Sequence, residues 1–275
     1  MSVIFNNAFL LSESLDQPAR HPRIGYHTWT LDGNVNPGDV TVSTEADDFP
    51  GDAPLRPNTY ERWKPTALPA TWEIDLGENR TFNYFCIGAH TLGSNACTIK
   101  VEYQDPSDTW VEFGTETMLS KDRAVMMLDD EVETDTVRLT VSGSGDMPQI
   151  GVIYFGNVLA MSRPIYAGHN PITLNRETRL KSSKSRGGQF LGQNFRRSGL
   201  VSSVQFQHLE PDWYRDNFDP FAKAARNRPF FFAWRPTTYP TEVAYCWTPD
   251  DMQPQNDGQP NFMSVSFNLR GFDDV

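Results

Sequence analysis

Residues 71–89 read TWEIDLGENRTFNYFCIGA, and this stretch decides the fold class. Residues 71–77 alternate large apolar with charged side chains, which is the period of a strand that buries one face. Residues 84–89 (YFCIGA) form a continuous apolar run, which is typical of a strand covered on both faces. The two patterns predict two strands inside a mainly β protein.

Further strand patterns follow, and turn residues separate them. Residues 98–103 (TIKVEY) alternate again, and the turn DPSD at 105–108 divides them from residues 110–113. The other predicted strands of this half are residues 124–128, 136–141 and 150–157. Strands at this spacing predict an antiparallel β-sandwich or jelly roll.

The composition excludes several classes of protein. The chain has 20 Pro and 19 Gly among 275 residues, so long helices are not expected to dominate. The net charge of −11 argues against nucleic acid or an anionic membrane as the main partner. No apolar run is long enough for a membrane span, and the first 13 residues lack the basic start of a secretion signal. Three cysteines without a CxxC pair are expected to be buried free thiols.

The charge changes sign along the chain. Residues 1–160 carry 24 acidic and 10 basic side chains, whereas residues 161–275 carry 11 and 14. A difference that persists over more than a hundred residues favours two domains. Turn residues cluster at 162–172, so we predict one domain over residues 1–162 and a second over 163–275.

The order of motifs in residues 20–160 resembles a discoidin-type, galactose-binding-like jelly roll. The matching stretches are residues 60–65 (YERWKP), 72–77 (WEIDLG), 98–103 (TIKVEY), 137–141 (VRLTV) and 150–155 (IGVIYF). Members of that family often bind sugars through loops at one end of the barrel. The resemblance implies that the matching loops hold candidate ligand residues, namely Tyr26, His27, Trp29, Tyr60, Arg62 and Trp63.

Some of these assignments have an open alternative. An exposed Trp would stack on a sugar, but Trp63 and Trp29 would alternatively fill the barrel, and the family Trp at the place of Trp63 usually packs inside it. In a nearby loop, Asp47, Asp48 and Asp52 would either hold a calcium ion or form a solvated acidic surface. We expect no metal and no cofactor.

The second half begins with a basic segment. Residues 176–197 contain seven Lys and Arg against one Glu, with small residues and a Gly-Gly pair but no phosphate-binding GxxxxGK[ST] motif. We interpret it as an extended loop or hairpin arm that docks on an acidic partner; a solvated loop is the alternative. The candidate assembly residues are Arg176, Arg179, Lys181, Lys184, Arg186, Arg196 and Arg197.

One helix is predicted, at about residues 211–227, inside otherwise β structure. Pro211 and Asp212 are typical of a helix start, and apolar residues then recur every three or four positions. Pro220 predicts a kink or two short pieces. Strand patterns surround the helix at residues 199–208, 230–236, 242–247 and 263–269.

This strand–helix–strand order resembles the tail-tube-like hub domain of bacteriophage distal-tail and minor-tail proteins. The matching stretches are the helix and then residues 228–236 (RPFFFAWRP), 239–247 (YPTEVAYCW) and 264–272 (SVSFNLRGF). The resemblance implies a structural virion protein of a phage tail tip or baseplate, made in the host bacterial cytoplasm. Its C-terminal domain would form a homo-oligomeric ring. The N-terminal domain, which many distal-tail proteins lack, would face outward to attach to host glycans or to another tail protein.

No motif predicts catalysis. The five His residues are scattered, and neither HExxH nor GxSxG occurs. The acidic run at residues 129–131 is expected to be a solvated surface. We therefore expect no enzymatic activity. A free-standing lectin is the alternative function, and a glycan-cleaving protein would need two converging carboxylates in a cleft.

Overall fold

The structure is a computed structural model that describes residues 3–5, 19–197, 199–258 and 261–273. Its architecture is mainly β, as predicted. The strands are β1 (Val3–Phe5), β2 (Arg23–Gly25), β3 (Val40–Val42), β4 (Ala70–His90), β5 (Thr98–Gln104), β6 (Trp110–Met118), β7 (Val125–Ser142), β8 (Ile150–Gly156), β9 (Leu159–Ala160), β10 (Arg179–Lys184), β11 (Phe190–Arg197), β12 (Leu200–Leu209), β13 (Phe230–Ala233), β14 (Val243–Trp247), β15 (Gln253–Asn256) and β16 (Met263–Gly271). Short 3-10 turns lie at Trp29–Leu31, Pro37–Asp39 and Ala53–Leu55.

Two long antiparallel strands, β4 and β7, organise the first sheet. The two strands predicted at residues 71–77 and 84–89 are one strand of 21 residues, and β7 likewise joins two predicted strands. The register between β4 and β7 shifts twice near the middle of β4. Such irregularities bend a strand pair. One half of the pair is flanked by β3, β5 and β6, and the other half by β8 and β1, which gives a sandwich around the first core.

The second sheet takes strands from both sides of the predicted domain boundary. Its order is β12-β16-β14-β13-β2-β9, with β15 on β16. The short strands β2 and β9 precede residue 162, and β2 pairs with β13 through Gly25 and Phe231. The division into domains at residues 162/163 stays a prediction. The second sheet, most of which follows residue 163, also contains β2 and β9 from before it.

An apolar layer joins the two sheets. Phe231 and Tyr245 of the second sheet pack on Tyr154 of β8, with ring centroids 5.4 and 5.9 Å from that of Tyr154. Gly88 allows the close approach, because a Cβ there would lie 3.1 Å from two atoms of the Phe231 ring. The buried residues of this layer are Val3, Tyr84, Cys86, Ala124, Met126, Leu128, Val152, Tyr154, Phe231, Ala233, Val243 and Tyr245.

The helical segment covers the opposite face of the second sheet. It consists of α1 (Pro211–Trp213), a π-helical turn (Tyr214–Phe218) and α2 (Asp219–Ala224). Helical structure is continuous over residues 211–224 with a π turn just before α2, and it ends at Ala224 rather than near residue 227. Pro220 has no N–H to donate and its ring would crowd a tight preceding turn, so the wider π turn comes before it. Within the described part of the chain, no helix is long and apolar enough to cross a membrane.

All three cysteines are buried free thiols, as predicted. Cys97 lies in the first core, Cys86 in the layer between the sheets, and Cys246 beneath the helical segment. Burial raises the pKa of the Cys86 and Cys246 thiols well above their ordinary value, because the thiolate would lose its hydration.

His90 is buried at the end of β4 in the neutral form. Its Nε2 donates to the Arg123 carbonyl at 2.8 Å, and its Nδ1 accepts from the Leu92 N–H at 3.2 Å. Burial lowers the His90 pKa to about 4; the Arg123 hydrogen bond and the Asp122 charge oppose this shift, and the Arg62 charge adds to it. A protonated ring would lose the Leu92 hydrogen bond.

We expect stability to fall as the pH drops from about 6.5 to about 4, because the unfolded chain then binds a proton that folded His90 does not. The two pKa values limit this contribution to about 3 kcal/mol. Urea unfolding at pH 7 and pH 4.5 measures it. The variant His90→Gln, whose amide can still donate to the Arg123 carbonyl, should lose this part of the pH dependence. An unchanged pH dependence in the variant would contradict the assignment.

Candidate functional site

Strand β8 separates the predicted ligand residues into two groups. Trp63 pairs with Ile150 at the start of β8. His27 lies at its end, where a Cβ on Gly156 would be 2.3 Å from the His27 carbonyl oxygen. A strand of this length spans about 20 Å. The structure therefore does not bring the predicted residues together around one small ligand.

The group at the start of β8 offers little to a ligand. Trp63 is fully buried in the first core, and its indole N–H donates to the Thr44 carbonyl at 3.0 Å. A ring without an exposed face cannot stack on a sugar, and this burial fits the alternative in which Trp63 fills the barrel. Arg62 is half-buried and donates through Nε to the Thr59 carbonyl at 3.3 Å. Tyr60 is 92% exposed on the same loop.

The Trp29 side chain also makes its contacts within the protein. Its indole N–H donates to the Thr81 carbonyl at 2.8 Å. The Arg80 guanidinium lies 4.8 Å from the ring centroid, and the His27 ring meets Trp29 edge-on at 4.6 Å. Such a cation–π contact uses the ring face that a sugar would need. Trp29 therefore supports His27 rather than offering an open stacking surface.

Tyr26 and His27 line a groove where the sandwich meets the helical segment. The groove has a volume of about 230 Å³. The Tyr26 ring packs on Phe221 of α2 at 5.3 Å, which ties this wall to the helix. The lining residues are Tyr26, His27, Asn157, Val158, Leu159, Asp216 and Asn217.

Two groove residues each have a buried side-chain atom without a hydrogen-bond partner in the part of the chain that is described, His27 Nδ1 and Asn157 Oδ1. The Asn157 amide nitrogen donates to Thr81 Oγ1 at 3.0 Å, which fixes the side chain. Burial lowers the pKa of His27, and the nearby Arg228 and Arg80 charges add to this while Asp32 opposes it. A neutral His27 keeps a lone pair for a hydroxyl donor.

Asp216 and Asn217 are groove residues that the sequence did not point to. Both are exposed and lie in the π turn. Sequence periodicity assigns such residues to the solvated face of a helix. The sequence feature that could have indicated them is Pro220, because a wider turn before a proline changes which side chains face the groove. Such π turns often occur at functional sites.

The structure does not gather the three carboxylates of the acidic loop into one cluster. Asp52 is bound to Arg56 at 2.7 Å, and Asp47 and Asp48 are exposed. No group of three or more His, Cys, Asp or Glu residues that could hold a metal ion occurs among the described residues.

The basic segment is an antiparallel hairpin that forms a sheet of its own. Lys181 pairs with Asn194 near the middle of β10 and β11, and Ser185 and Gln189 close the turn. Its base is tied to the second sheet by an ion pair between Glu177 and Arg270 at 2.6 Å. The predicted hairpin is confirmed.

This hairpin, residues 179–197, exposes both charge and apolar surface. Every residue of β10 is exposed, including Leu180 at 52%, and Phe190 and Leu191 on β11 are each 64% exposed. The exposed cations are Arg179, Lys181, Lys184 and Arg186. Arg176 lies just before the hairpin and is exposed. The side chains of Arg196 and Arg197 lie outside the described residues.

Comparison with known proteins gives no match to any family model and none to a curated protein. Part of the chain is similar to several solved structures. The CpGH89CBM32-5 module of Clostridium perfringens, solved with GalNAc-β-1,3-galactose, shares 12% identity at a TM-score of 0.37, covering 44% of this chain and 96% of the module. Chitosan-binding module 1 of Paenibacillus sp. IK-5 shares 16% identity at a TM-score of 0.39, and the match covers 47% of this chain and 98% of the module.

Larger proteins match over the same share of this chain. The Ruminococcus gnavus GH29 fucosidase E1_10125, solved with fucose, has 19% identity and a TM-score of 0.40 over 48% of this chain. The match spans 26% of the fucosidase, and a match to SpGH29 spans 28% of that protein.

The burial of Trp63 leads to a stability prediction. We expect Trp63→Ala to lower the free energy of unfolding by about 3–5 kcal/mol, because it leaves a cavity in the first core. The neighbouring Tyr60→Ala should change it by less than about 0.5 kcal/mol, since that ring is exposed. Chemical denaturation of both variants measures the difference. Similar values for the two variants would contradict a core role for Trp63.

Proposed function

We propose that this chain is a non-enzymatic structural subunit that assembles with copies of itself through the hairpin at residues 179–197, within a phage tail tip or baseplate. The observation that carries the proposal is the hairpin itself. It forms a separate two-stranded sheet, and both cationic and apolar side chains on it face solvent.

Contacts within one subunit contribute little to the stability of the hairpin. An isolated two-stranded hairpin is marginally stable in water. Leu180, Phe190 and Leu191 expose apolar surface. Burial of this surface against a partner would lower the free energy. A projecting strand pair also presents free backbone edges to which a partner strand can add. These features support docking on another chain.

A second copy is the partner that the charges favour. Residues 176–197, which include the hairpin, have seven cations against one carboxylate, while residues 1–160 carry a net charge of −14. Opposite charges on one chain let each copy offer the hairpin to one neighbour and an acidic surface to the next. Such a head-to-tail contact closes into a ring when the rotation allows it. The resemblance to phage tail hub domains supports a ring of this kind.

We expect the purified protein to form oligomers that dissociate as salt is raised, because part of the contact is between opposite charges. The double variant Lys181→Glu, Lys184→Glu should be largely monomeric at the same concentration. Arg215→Glu, a charge change on the helical segment, is the matched control and should assemble normally. Sedimentation velocity measures all three. A wild type that stays monomeric at every concentration would contradict the assembly proposal.

The place of the assembly is tested separately. Electron microscopy of phage particles, with subunits identified by their density, should show this chain at the tail tip. An oligomer that is found in no virion would retain the assembly and remove the phage assignment.

A second candidate function is carbohydrate binding, and the groove beside Tyr26 favours it. The groove combines an aromatic wall with carboxylate, amide and imidazole groups, which is the chemistry that binds sugar hydroxyls. Its volume of about 230 Å³ suits one sugar ring. This function is compatible with an assembly subunit that attaches to a host surface and equally with a free-standing lectin.

We expect a glycan array to identify a ligand whose binding is weakened about tenfold or more by Asp216→Ala, because a carboxylate that accepts sugar hydroxyls is lost. Asp212→Ala, on the same helical segment but away from the groove, should bind as the wild type does. Titration calorimetry with the best glycan measures both. Binding that survives Asp216→Ala would place the sugar elsewhere, and a blank array would contradict carbohydrate binding.

A further inference from the structure

A second cavity, of about 240 Å³, lies at the seam between the two sheets. The residues before β7 line one side, and β14 and the segment after β16 line another. Leu200, Val243 and Phe272 give it apolar surface. It is distinct from the groove beside Tyr26, with which it shares no lining residue.

Three cationic residues line this cavity, and within the described residues none of them forms an ion pair. They are Lys121, Arg123 and Arg176, and the ion pairs of the described chain include none of them. Three unpaired cations around one cavity attract an anion.

Two carboxylates, Asp122 and Asp273, also line the cavity. The Asp122 carboxylate accepts hydrogen bonds from the Ser94 N–H, at 2.8 Å, and from the Ser94 hydroxyl, which hold it in place. Among the described residues that line the cavity, the cations therefore exceed the carboxylates by one. A single negative charge on a ligand balances the site, whereas a dianion such as phosphate would leave charge uncompensated.

Thr173 is a second, independent feature of the same cavity. The residue is 4% exposed, and its Oγ1 has no hydrogen-bond partner in the described structure. Buried hydroxyls nearly always have a partner, because burial without one is unfavourable. A hydroxyl that lines a cation-rimmed cavity can donate to an anion that enters it.

We propose that this cavity binds a small organic monoanion, a carboxylate carried on a short apolar group. The carboxylate lies among Lys121, Arg123 and Arg176, where a guanidinium can hold both oxygens at once and Thr173 can donate a further hydrogen bond. The apolar group lies on Leu200, Val243 and Phe272. Because the cavity walls belong to the second sheet and to the segment that leads into β7 of the first sheet, the ligand also links these two parts.

Hexanoate, hexanol and inorganic phosphate are the probes, tested on the full chain by titration calorimetry. We expect hexanoate to bind at least about tenfold more tightly than hexanol, because a charge-assisted hydrogen bond contributes a factor of this size. Phosphate should bind more weakly than hexanoate, since it has no apolar group. Equal affinities for hexanoate and hexanol, or no binding of hexanoate, would overturn the proposal.

Three variants locate the site. Arg176→Gln should weaken hexanoate binding about tenfold, while Arg215→Gln, an arginine on the helical segment, should leave it unchanged. Thr173→Val should weaken hexanoate binding without lowering the melting temperature of the free protein, because the hydroxyl has no partner there to lose. Wild-type affinity in both Arg176→Gln and Thr173→Val would overturn the proposal.

Discussion

The apolar layer between the two sheets is the contact on which the rest of the structure depends. It requires β13 and the second half of β4 to carry large apolar side chains on both faces, because each strand has a core on either side. Phe231 faces the layer while Phe232, next to it, faces the helical segment. Tyr84 faces the same layer from β4, and Phe85 faces the first core. This constraint explains the continuous apolar runs that are rare in a sheet with one wet face.

Much of the fold follows from local sequence patterns. The parts that do not are strands whose length or pairing depends on residues remote in sequence. Residues 84–89 and 230–233 predict doubly buried strands because every residue is apolar. The joining of residues 71–77 and 84–89 into one strand depends on pairing with β7, which is remote in sequence. Strands β2 and β9 have three residues and two, too few to show a period. Their pairing with β13 links the two halves in a way that the charge asymmetry does not reveal.

A candidate site could be predicted where one continuous segment carries it, and could not be predicted where elements remote in sequence form it together. The basic, Gly-rich segment predicts a hairpin from its own composition. Tyr26 and His27 were found through a family resemblance, but the same resemblance grouped them with Arg62, which lies toward the other end of β8. Asp216 joins the groove only because the helical segment packs against the sandwich. The groove and the cavity both form where elements remote in sequence meet, and no single stretch of sequence describes such a site.

Native-state hydrogen exchange tests the central claim most directly, because it measures the free energy of opening for individual strands. The amides of Phe230–Ala233 and of residues 84–87 hydrogen-bond in different sheets that share the apolar layer. If that layer makes one cooperative unit, both sets exchange with the same opening free energy, equal to that of global unfolding. Fast exchange in β13 while residues 84–87 stay protected would show that the second sheet opens alone, and would contradict the account.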